Sequence, residues 1–403
     1  MLCRSIGRNV NRQMSKILID VSRLLFRRFA NRLPTGIDRV SLEYLRHYVG
    51  TAHAVLSYRG LLIALPRKES EHLFRLLYEP SGHRLKHWLY SPRLIIALFK
   101  TTGSSELYNG AILFNTGHIG LGDERYAMGM RGVKLVFMVH DLIPITHPEY
   151  FRPGELKKHT LRMRNVLRIA HGIVTNSKDT MANLCDFSKN ISREMPPSVV
   201  APLAPGLTRL KPAVRPIAEP YFVVLSTIEP RKNHLMLLQL WRRLREESGE
   251  NVPRLVVIGQ RGWECENVVD HLERSELLAG YVFEFSRCGD VELATFLHHA
   301  QALLFPSFVE GYGMPLIEAL AQGVPVIASD LAVFREFAAE IPEYADPLDG
   351  QHWLALIKEY SKPDSERRSA QLTRIKSFRL PTWEQHFAQL DSLLLRLDDV
   401  NGV

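Results

Sequence analysis

The chain has 403 residues, 46% hydrophobic and 23% charged, which predicts two globular domains and excludes a collagen, a disordered tail protein and a disulfide-rich miniprotein. The formal net charge of +8 comes from the first half, because residues 1–220 hold 33 Lys and Arg against 16 Asp and Glu, whereas residues 221–403 hold 18 against 27. A basic half of this size is typical of proteins that meet an anionic membrane, a phosphorylated acceptor or nucleic acid.

Short β-branched runs alternate with helical segments along the chain, a pattern typical of parallel sheets covered by helices. In chain order the predicted strands are Ile17–Val21, Ala111–Phe114, Val133–Val139, Gly172–Thr175, Ser198–Ala201, Tyr221–Leu225, Arg254–Ile258, Tyr281–Phe285, Ala302–Phe305 and Val324–Ala328. Their near-continuous hydrophobicity is typical of strands buried on both faces. We therefore predict an α/β fold with two doubly wound Rossmann-like domains that face each other across a cleft, with ligands at the carboxyl ends of the strands.

A run of prolines separates the two sets of strands and coincides with the reversal of charge. Proline fixes φ and lacks an N–H, so neither sheet nor helix continues easily there. We predict an N-terminal domain at 1–203, a Pro-rich linker at 204–220, a C-terminal domain at 221–380 and a C-terminal helix at 381–403 that can cross back to the first domain.

Cysteine spacing and the lack of long apolar runs indicate in which cellular compartment the protein is expected. The four cysteines, Cys3, Cys185, Cys265 and Cys288, are widely scattered, so we expect neither a structural disulfide nor a zinc site. Residues 1–15 carry arginines without an apolar stretch and do not resemble a secretory signal. No run of eighteen apolar residues occurs anywhere. We expect a cytoplasmic protein, soluble or peripheral on the inner face of the cytoplasmic membrane.

Two adjacent cations, Arg231 and Lys232, follow the predicted strand that ends at Leu225, and a helical pattern starts at about Asn233. Fixed positive charge beside the free N–H groups of a helix start suits a pyrophosphate. A solvated charged turn explains these two residues equally well on composition alone.

A second cluster follows the strand that ends at Phe305. It runs from Pro306 to Glu318, contains Gly311 and Gly313, and places Glu310 and Glu318 eight positions apart. Glycines let backbone approach a ligand closely, and a helix start presents free amides. A capping glutamate plus a surface glutamate is the simpler reading of the two carboxylates, but it leaves the rest of the string unexplained.

Together these strings resemble the retaining glycosyltransferases of family 4, which have the GT-B fold. The segment Glu310 to Glu318, with Gly-Tyr-Gly-Met-Pro inside it, resembles the paired-glutamate signature of that family. Thr227–Asn233 resembles its phosphate-binding segment, and Gly259–Trp263 resembles its next loop. The agreement extends from about residue 136 to about residue 347.

The resemblance implies a role for each matching residue. Arg231 and Lys232 would hold the donor diphosphate and stabilise the charge that develops on it, while Glu310 would face the transferred sugar and Glu318 the ribose. His140 would lie beside the reacting sugar, and the glycine turn at Gly36 would lie over the diphosphate. Backbone amides for the donor would come from Gly311, Tyr312, Gly313, Met314, Pro315 and Leu316.

The activity implied is metal-independent transfer of a hexose, with retention of configuration, to a hydroxyl of a saccharide acceptor. A bacterial surface polysaccharide, O-antigen or capsule, is the expected product. The donor is a nucleotide-diphosphate sugar, with GDP-mannose the first choice and a UDP- or dTDP-hexose the alternative, and no other cofactor is expected. A GT-B phosphorylase or epimerase is the nearest alternative, and a basic nucleic-acid-binding protein a distant one because no recognition motif is present.

Two further sequence patterns, a possible metal site and a possible membrane surface, each have a simpler structural explanation. Asp141 and His147, together with His140, could hold a metal, but three potential ligands without a fourth are more often hydrogen-bonded structure, so we expect no metal. Residues 23–32 mix four arginines with Leu and Phe, which predicts contact with an anionic membrane that could deliver a lipid-linked acceptor. An amphipathic surface helix would have the same pattern. We expect the same surface to include further basic and aromatic residues: Arg59, Arg67, Lys68, Arg75, Arg84, Lys86, Trp88, Tyr90, Arg93 and Phe99.

Overall fold

The computed structural model describes residues 16–30, 34–58, 61–79, 108–128, 130, 132–206 and 212–399. The chain divides into two compact units. The first contains the residues up to Met138 together with Ile169–Gly172, and the second contains Val139–Arg168 together with the residues from Ile173 onward.

Thirteen strands are present in the described residues, in two sheets. They are β1 (Ile17–Asp20), β2 (Ala52–Tyr58), β3 (Leu61–Ala64), β4 (Ile112–Asn115), β5 (Lys134–Val139), β6 (Gly172–Thr175), β7 (Ser198–Val200), β8 (Tyr221–Leu225), β9 (Arg254–Ile258), β10 (Val282–Phe285), β11 (Leu303–Phe305), β12 (Val326–Ser329) and β13 (Glu343–Ala345). The first sheet has the order β3-β2-β1-β4-β5-β6-β7, and the second has the order β10-β9-β8-β11-β12-β13.

All ten predicted strands are present, and three further strands were missed. The strand β2 is interrupted by His53 and Ser57, which hide its apolar pattern. The strand β3 is a four-residue edge strand, paired antiparallel to β2. The strand β13 has three residues, too few for a pattern. Nine further strand pairs in the described residues are parallel, so the prediction of two doubly wound parallel sheets is confirmed.

Fourteen α-helices are found in the described residues, mostly between consecutive strands. They are α1 (Ser22–Phe29), α2 (Gly36–Tyr48), α3 (Arg67–Tyr78), α4 (Ile143–Thr146), α5 (Glu155–Ile169), α6 (Lys178–Asn190), α7 (His234–Ser248), α8 (Glu266–Arg274), α9 (Asp290–His298), α10 (Met314–Ala321), α11 (Ala332–Ala338), α12 (Gly350–Ser361), α13 (Glu366–Ile375) and α14 (Trp383–Asp399). Short 3₁₀ turns occur at Pro148–Tyr150 and Pro230–Lys232.

Large aromatic side chains fill the core of the second sheet. Phe222 on β8 packs edge-on against Trp241 on α7, with 5.9 Å between ring centroids. Trp241 and Trp353 are fully buried, and each still donates its indole N–H to a backbone carbonyl. Burying such side chains without losing their hydrogen bonds stabilises this core, which fixes the loops at the carboxyl ends of its strands.

The final helix α14 packs against β7, the last strand of the first sheet. His386 is fully buried and its Nδ1 lies 3.0 Å from the Ala201 carbonyl oxygen, while Arg396 donates to the Ser198 carbonyl at 3.1 Å. Phe387, Leu390 and Leu393 of this helix are buried. The described residues of the predicted linker, 204–206 and 212–220, carry no helix or strand.

Residues 23–29 of the basic segment predicted to meet a membrane lie in α1. Two of its four arginines are used inside the first unit, because Arg23 and Arg27 form ion pairs of 2.8 and 2.6 Å with the buried carboxylate of Asp38. On the same helix Phe26 and Phe29 are 60% and 43% exposed. The predicted surface residues Arg59, Arg84, Lys86, Trp88, Tyr90, Arg93 and Phe99, together with Arg32 and Cys3, lie outside the described residues.

Among the described residues, no helix has both the length and the apolar content needed to cross a bilayer. The three cysteines in that part of the chain, Cys185, Cys265 and Cys288, are unpaired.

Candidate functional site

The turn after β8 is held by a short pairing with the loop after β9. Ile228 donates its N–H to the Gln260 carbonyl at 2.9 Å and accepts the N–H of Gly262 at 2.9 Å. The start of the second loop must be glycine, since a Cβ on Gly259 would lie 1.9 Å from the Ser226 carbonyl oxygen. The pairing fixes where the 3₁₀ turn at Pro230–Lys232 begins.

That 3₁₀ turn brings Arg231 and Lys232 onto one carboxylate, Glu310, which follows β11. The Arg231 Nη1 lies 3.0 Å from Glu310 Oε2, and Lys232 Nζ bonds the other oxygen, Oε1. Ser307 donates its hydroxyl to the same Oε1 at 2.7 Å. Lys232 and Glu310 are 7% and 8% exposed. The structure therefore brings together three of the four residues predicted to be catalytic.

The charges of this cluster set the protonation of its members. Burial raises the pKa of Glu310, but Lys232 and Arg231 more than offset burial and bring that pKa down to about 2. Burial, together with the neighbouring guanidinium, lowers the pKa of Lys232, against the attraction of Glu310. Burial also acts to lower the pKa of Arg231, but Glu310 and Glu229 outweigh it and the pKa is raised. The site thus presents a buried ammonium and a partly buried guanidinium, both held by carboxylates.

The second of those carboxylates, Glu229, lies in the segment Thr227–Asn233, and the sequence predicts no role for it. Its Oε1 lies 2.6 Å from Arg231 Nε, an ion pair in which neither of these two atoms has a hydrogen bond of good geometry within the described part of the chain. Glu229 is 5% exposed, and burial raises its pKa against the pull of Arg231 and Lys232. A carboxylate two positions before an arginine on a tight turn is the sequence signal that could have identified it.

The glycine loop after β11 lies directly against residues 140 and 141. A Cβ on Gly311 would be 2.6 Å from the His140 carbonyl oxygen and 2.7 Å from Asp141 Cβ, so only glycine fits. The Gly311 carbonyl accepts hydrogen bonds from the hydroxyls of Ser177, at 3.1 Å, and Thr180, at 3.3 Å. His140 itself is 5% exposed. Its backbone carbonyl thus lies against the loop that is predicted to bind the donor.

The rest of the loop leads into α10. Tyr312 donates its hydroxyl to the Leu203 carbonyl at 2.6 Å, and Gly313 takes a positive φ of 103° where a Cβ would strike Phe334. Pro315 has no N–H, and the amide of Leu316 already donates to the Gly313 carbonyl at 3.0 Å. The prediction of an amide from every residue between Gly311 and Leu316 is therefore corrected, since Pro315 has none and the amide of Leu316 is used in the first turn.

The remaining predicted residues lie in two places. Glu318 is buried inside α10 at 5% exposure. Gly36 is the first residue of α2 in the first unit, where Thr35 and Asp38 form a capping box around it. Its predicted contact with a donor diphosphate stays a prediction.

Of the residues considered for a metal, Asp141 and His147 both have local hydrogen-bond partners. Asp141 accepts the Ile143 N–H at 3.1 Å, and the His147 Nδ1 lies 2.9 Å from the Thr146 hydroxyl. The His147 ring also stacks on Tyr150, with 6.2 Å between centroids. No group of three or more His, Cys, Asp or Glu side chains in the described residues is arranged to hold a metal ion.

Two Rossmann-like sheets, with a cationic turn and a glycine loop at the carboxyl ends of β8 and β11, define a GT-B architecture. Solved structures share this fold. Sucrose-phosphate synthase from Thermosynechococcus elongatus aligns with a TM-score of 0.65 at 16% identity and covers 96% of this chain and 100% of that one. Anabaena HepE in complex with UDP aligns with a TM-score of 0.61 at 15% identity and covers 96% and 100%.

Residues 211–342 match the family described as glycosyl transferases group 1, and the sequence relatives agree with that match. The serotype-specific mannosyltransferase WbdA of Escherichia coli is 29% identical over 60% of this chain and 32% of its own length. The O-antigen chain mannosyltransferase B of Escherichia coli is 26% identical over 62% of this chain and 67% of its own. The chain thus spans about a third of the WbdA length. Fold and family match together support a glycosyltransferase of GT-B fold.

Proposed function

We propose that this protein transfers a hexose, with mannose as first choice, from a nucleotide-diphosphate sugar to a hydroxyl of a saccharide acceptor. GDP-mannose is the favoured donor and a bacterial surface polysaccharide, O-antigen or capsule, the product. The single observation that carries the proposal is the cluster of the partly buried Arg231 with the buried Lys232 and Glu310, beside the glycine loop at Gly311. The names of the sequence relatives support mannose and O-antigen.

The chemistry follows from where charge develops. When the bond between the anomeric carbon and the phosphate oxygen breaks, positive charge grows on the sugar and negative charge on the departing diphosphate. Arg231 and Lys232 supply fixed cations to the diphosphate in a site that largely excludes water, where such charges act most strongly. The carboxylate of Glu310 stays ionised and positions both cations.

We propose that the acceptor attacks from the face that the diphosphate leaves, so the configuration is retained. The acceptor oxygen forms the new bond to the anomeric carbon, and its proton passes to the departing phosphate oxygen. In this scheme no side chain forms a covalent intermediate and no metal ion takes part. The backbone amides of Gly311 to Met314 would orient the sugar hydroxyls.

The experiment is a donor and acceptor assay on the full chain. GDP-mannose, UDP-glucose and dTDP-hexoses are incubated with saccharide acceptors, with and without EDTA, and both the nucleoside diphosphate and the new anomeric linkage are measured. We expect GDP release that depends on the acceptor, an α-linked product from GDP-mannose and no effect of EDTA. In a parallel incubation with inorganic phosphate, formation of a sugar 1-phosphate from the saccharide without a nucleotide sugar would point to a phosphorylase. Isomerised nucleotide sugar without transfer would point to an epimerase.

We also propose that the protein is cytoplasmic and meets the inner face of the membrane through its basic half. The exposed rings of Phe26 and Phe29 on α1 support this, although the charges of Arg23 and Arg27 are paired with Asp38. In flotation with anionic vesicles at low salt, we expect the protein to rise with the lipid. Recovery in the soluble fraction would remove the membrane from the proposal.

A further inference from the structure

Four charged side chains form a compact cluster in the second unit. Arg231 lies between two carboxylates, with Nε 2.6 Å from Glu229 Oε1 and Nη1 3.0 Å from Glu310 Oε2, and Lys232 bonds Glu310 as well. The side chains of Glu229 and Glu310 are only 2% and 8% exposed. Two positive and two negative charges therefore balance in a site largely removed from water.

The two carboxylates are held very differently. Glu310 receives Arg231, Lys232 and the hydroxyl of Ser307 as hydrogen-bond donors. Glu229 has its ion pair with Arg231, but its Oε1 has no hydrogen-bond partner in the described residues. A buried anion is stabilised by the donors around it, so Glu229 is the less stable of the two as a carboxylate.

A nucleotide-sugar diphosphate carries two further negative charges. Bound against Arg231 and Lys232, it would compete with both carboxylates for the same two cations and leave an excess of negative charge in a buried site. One of the carboxylates must then lose its charge or the binding weakens.

We propose that Glu229 takes up one proton from the solvent when the diphosphate of a nucleotide sugar binds against Arg231 and Lys232. The inference rests on the proposed function and deepens it, because it assigns the carboxylate that adjusts the charge of the donor site. Glu229 is thus a positioning residue for Arg231 that becomes neutral in the donor complex. The donor binds more tightly as the pH falls through the range in which Glu229 protonates.

The protonation of the free site supports this assignment. Burial already raises the pKa of Glu229, and a nearby diphosphate would raise it further, whereas the pKa of Glu310 is held at about 2. Other titratable groups face the cluster from neighbouring elements. Asp141, before α4, acts on Arg231, and His234, at the start of α7, feels the charge of Lys232. Since His234 is a buried neutral group that could also accept a proton, it is the competitor to test.

The experiment counts protons during donor binding. Isothermal titration calorimetry with GDP-mannose and UDP-glucose is run at the same pH in two buffers of different ionisation enthalpy. These donors carry a fully ionised diphosphate near neutrality, so any proton taken up belongs to the protein. We expect net proton uptake by the wild type, up to one proton per donor, at pH values above the pKa of Glu229 in the free site.

The variants locate the proton. Glu229→Gln keeps the shape of the side chain without the charge, so uptake should fall to near zero and the affinity should lose its dependence on pH. Glu273→Gln is the matched control, because Glu273 forms an exposed ion pair of 2.6 Å with Arg261, and its uptake should equal that of the wild type. Thermal unfolding checks that each variant is folded.

Each result has a defined meaning. Donor binding by the wild type without proton uptake overturns the inference and leaves the proposed function standing, and this measurement requires no variant. Uptake that persists in Glu229→Gln but disappears in His234→Gln assigns the proton to His234 and also overturns the inference. If neither these donors nor dTDP-hexoses bind the wild type, the proposed function itself is refuted.

Discussion

Replacing Lys232 by methionine tests the charge that the proposed mechanism needs most. Methionine keeps an unbranched apolar stem of similar length, while the ammonium that lies 5.5 Å from the centre of the Phe305 ring and bonds Glu310 is lost. Glu310 keeps Arg231 at 3.0 Å and the Ser307 hydroxyl at 2.7 Å, so its carboxylate is not left without partners. We therefore expect the Lys232→Met variant to fold.

The expected loss of activity follows from the charge removed. A unit charge about 4 Å from a phosphate oxygen contributes about 4 kcal/mol at an effective dielectric constant of about 20. Removing one group that stabilises developing negative charge typically lowers kcat about 10²- to 10³-fold. We expect a fall of that size in kcat, measured as acceptor-dependent release of nucleoside diphosphate at saturating donor.

The matched control is Lys358→Met. Lys358 pairs with Glu247 on the surface, and its side chain is 46% exposed, so removal should leave kcat within about twofold of the wild type. The reasoning would be refuted by a folded Lys232→Met enzyme whose kcat stays within about threefold of the wild type. It would also be refuted if both variants lost activity equally, because the effect would then not depend on the buried cluster.

Two further predictions concern space and pH. Gly311→Ala places a methyl group 2.6 Å from a backbone carbonyl oxygen, which should displace the loop and lower kcat/KM about 10²-fold. Gly350→Ala is the control, because its Cβ would meet nothing closer than 3.7 Å, and its kcat/KM should match that of the wild type. Equal activity of the two variants would contradict the prediction that a side chain at position 311 displaces the loop. Burial and Lys232 lower the pKa of His234 from 6.5 to about 3, so the unfolded state binds more protons between those pH values and the free energy of unfolding should fall as the pH drops through that range, by at most about 1.4 kcal/mol per pH unit. In urea unfolding, the difference in free energy of unfolding between the wild type and His234→Gln should shrink as the pH falls. If the two free energies change with pH in parallel, the lowered pKa of His234 is contradicted.

The sequence predicts the fold well where strands are long and apolar. Buried parallel strands such as β8 and β9 have almost no polar residue, so their pattern is visible from the chain alone. The edge strands β3 and β13 are short and β2 contains polar residues, and none of them has a distinctive local pattern. Their position depends on pairing with neighbours, which local sequence does not encode.

Part of the candidate site is also local and therefore predictable. Arg231 and Lys232 are adjacent, and the glycine loop begins immediately after Glu310. The hydroxyls that hold the Gly311 carbonyl come from Ser177, which is 134 positions away, and Thr180. Only the tertiary fold brings these groups together, so no motif could have indicated them.

The arginines of α1 show how a surface pattern can hide a structural role. The sequence suggests a cationic helix face, and an amphipathic surface helix was the alternative. In the structure Asp38 is 1% exposed, and a carboxylate removed from water requires cationic partners. Arg23 and Arg27 are these cationic partners. The sequence pattern does not reveal this, because it shows the charges but not which residues pair with them.

The packing of α14 on β7 has a consequence for the order of folding during synthesis. The buried ring of His386 reaches the carbonyl of Ala201, which left the ribosome 185 residues earlier. The side of β7 that α14 covers therefore stays exposed on the nascent chain until α14 has been translated. Chaperone binding to nascent chains should consequently persist beyond the point at which both sheets have emerged.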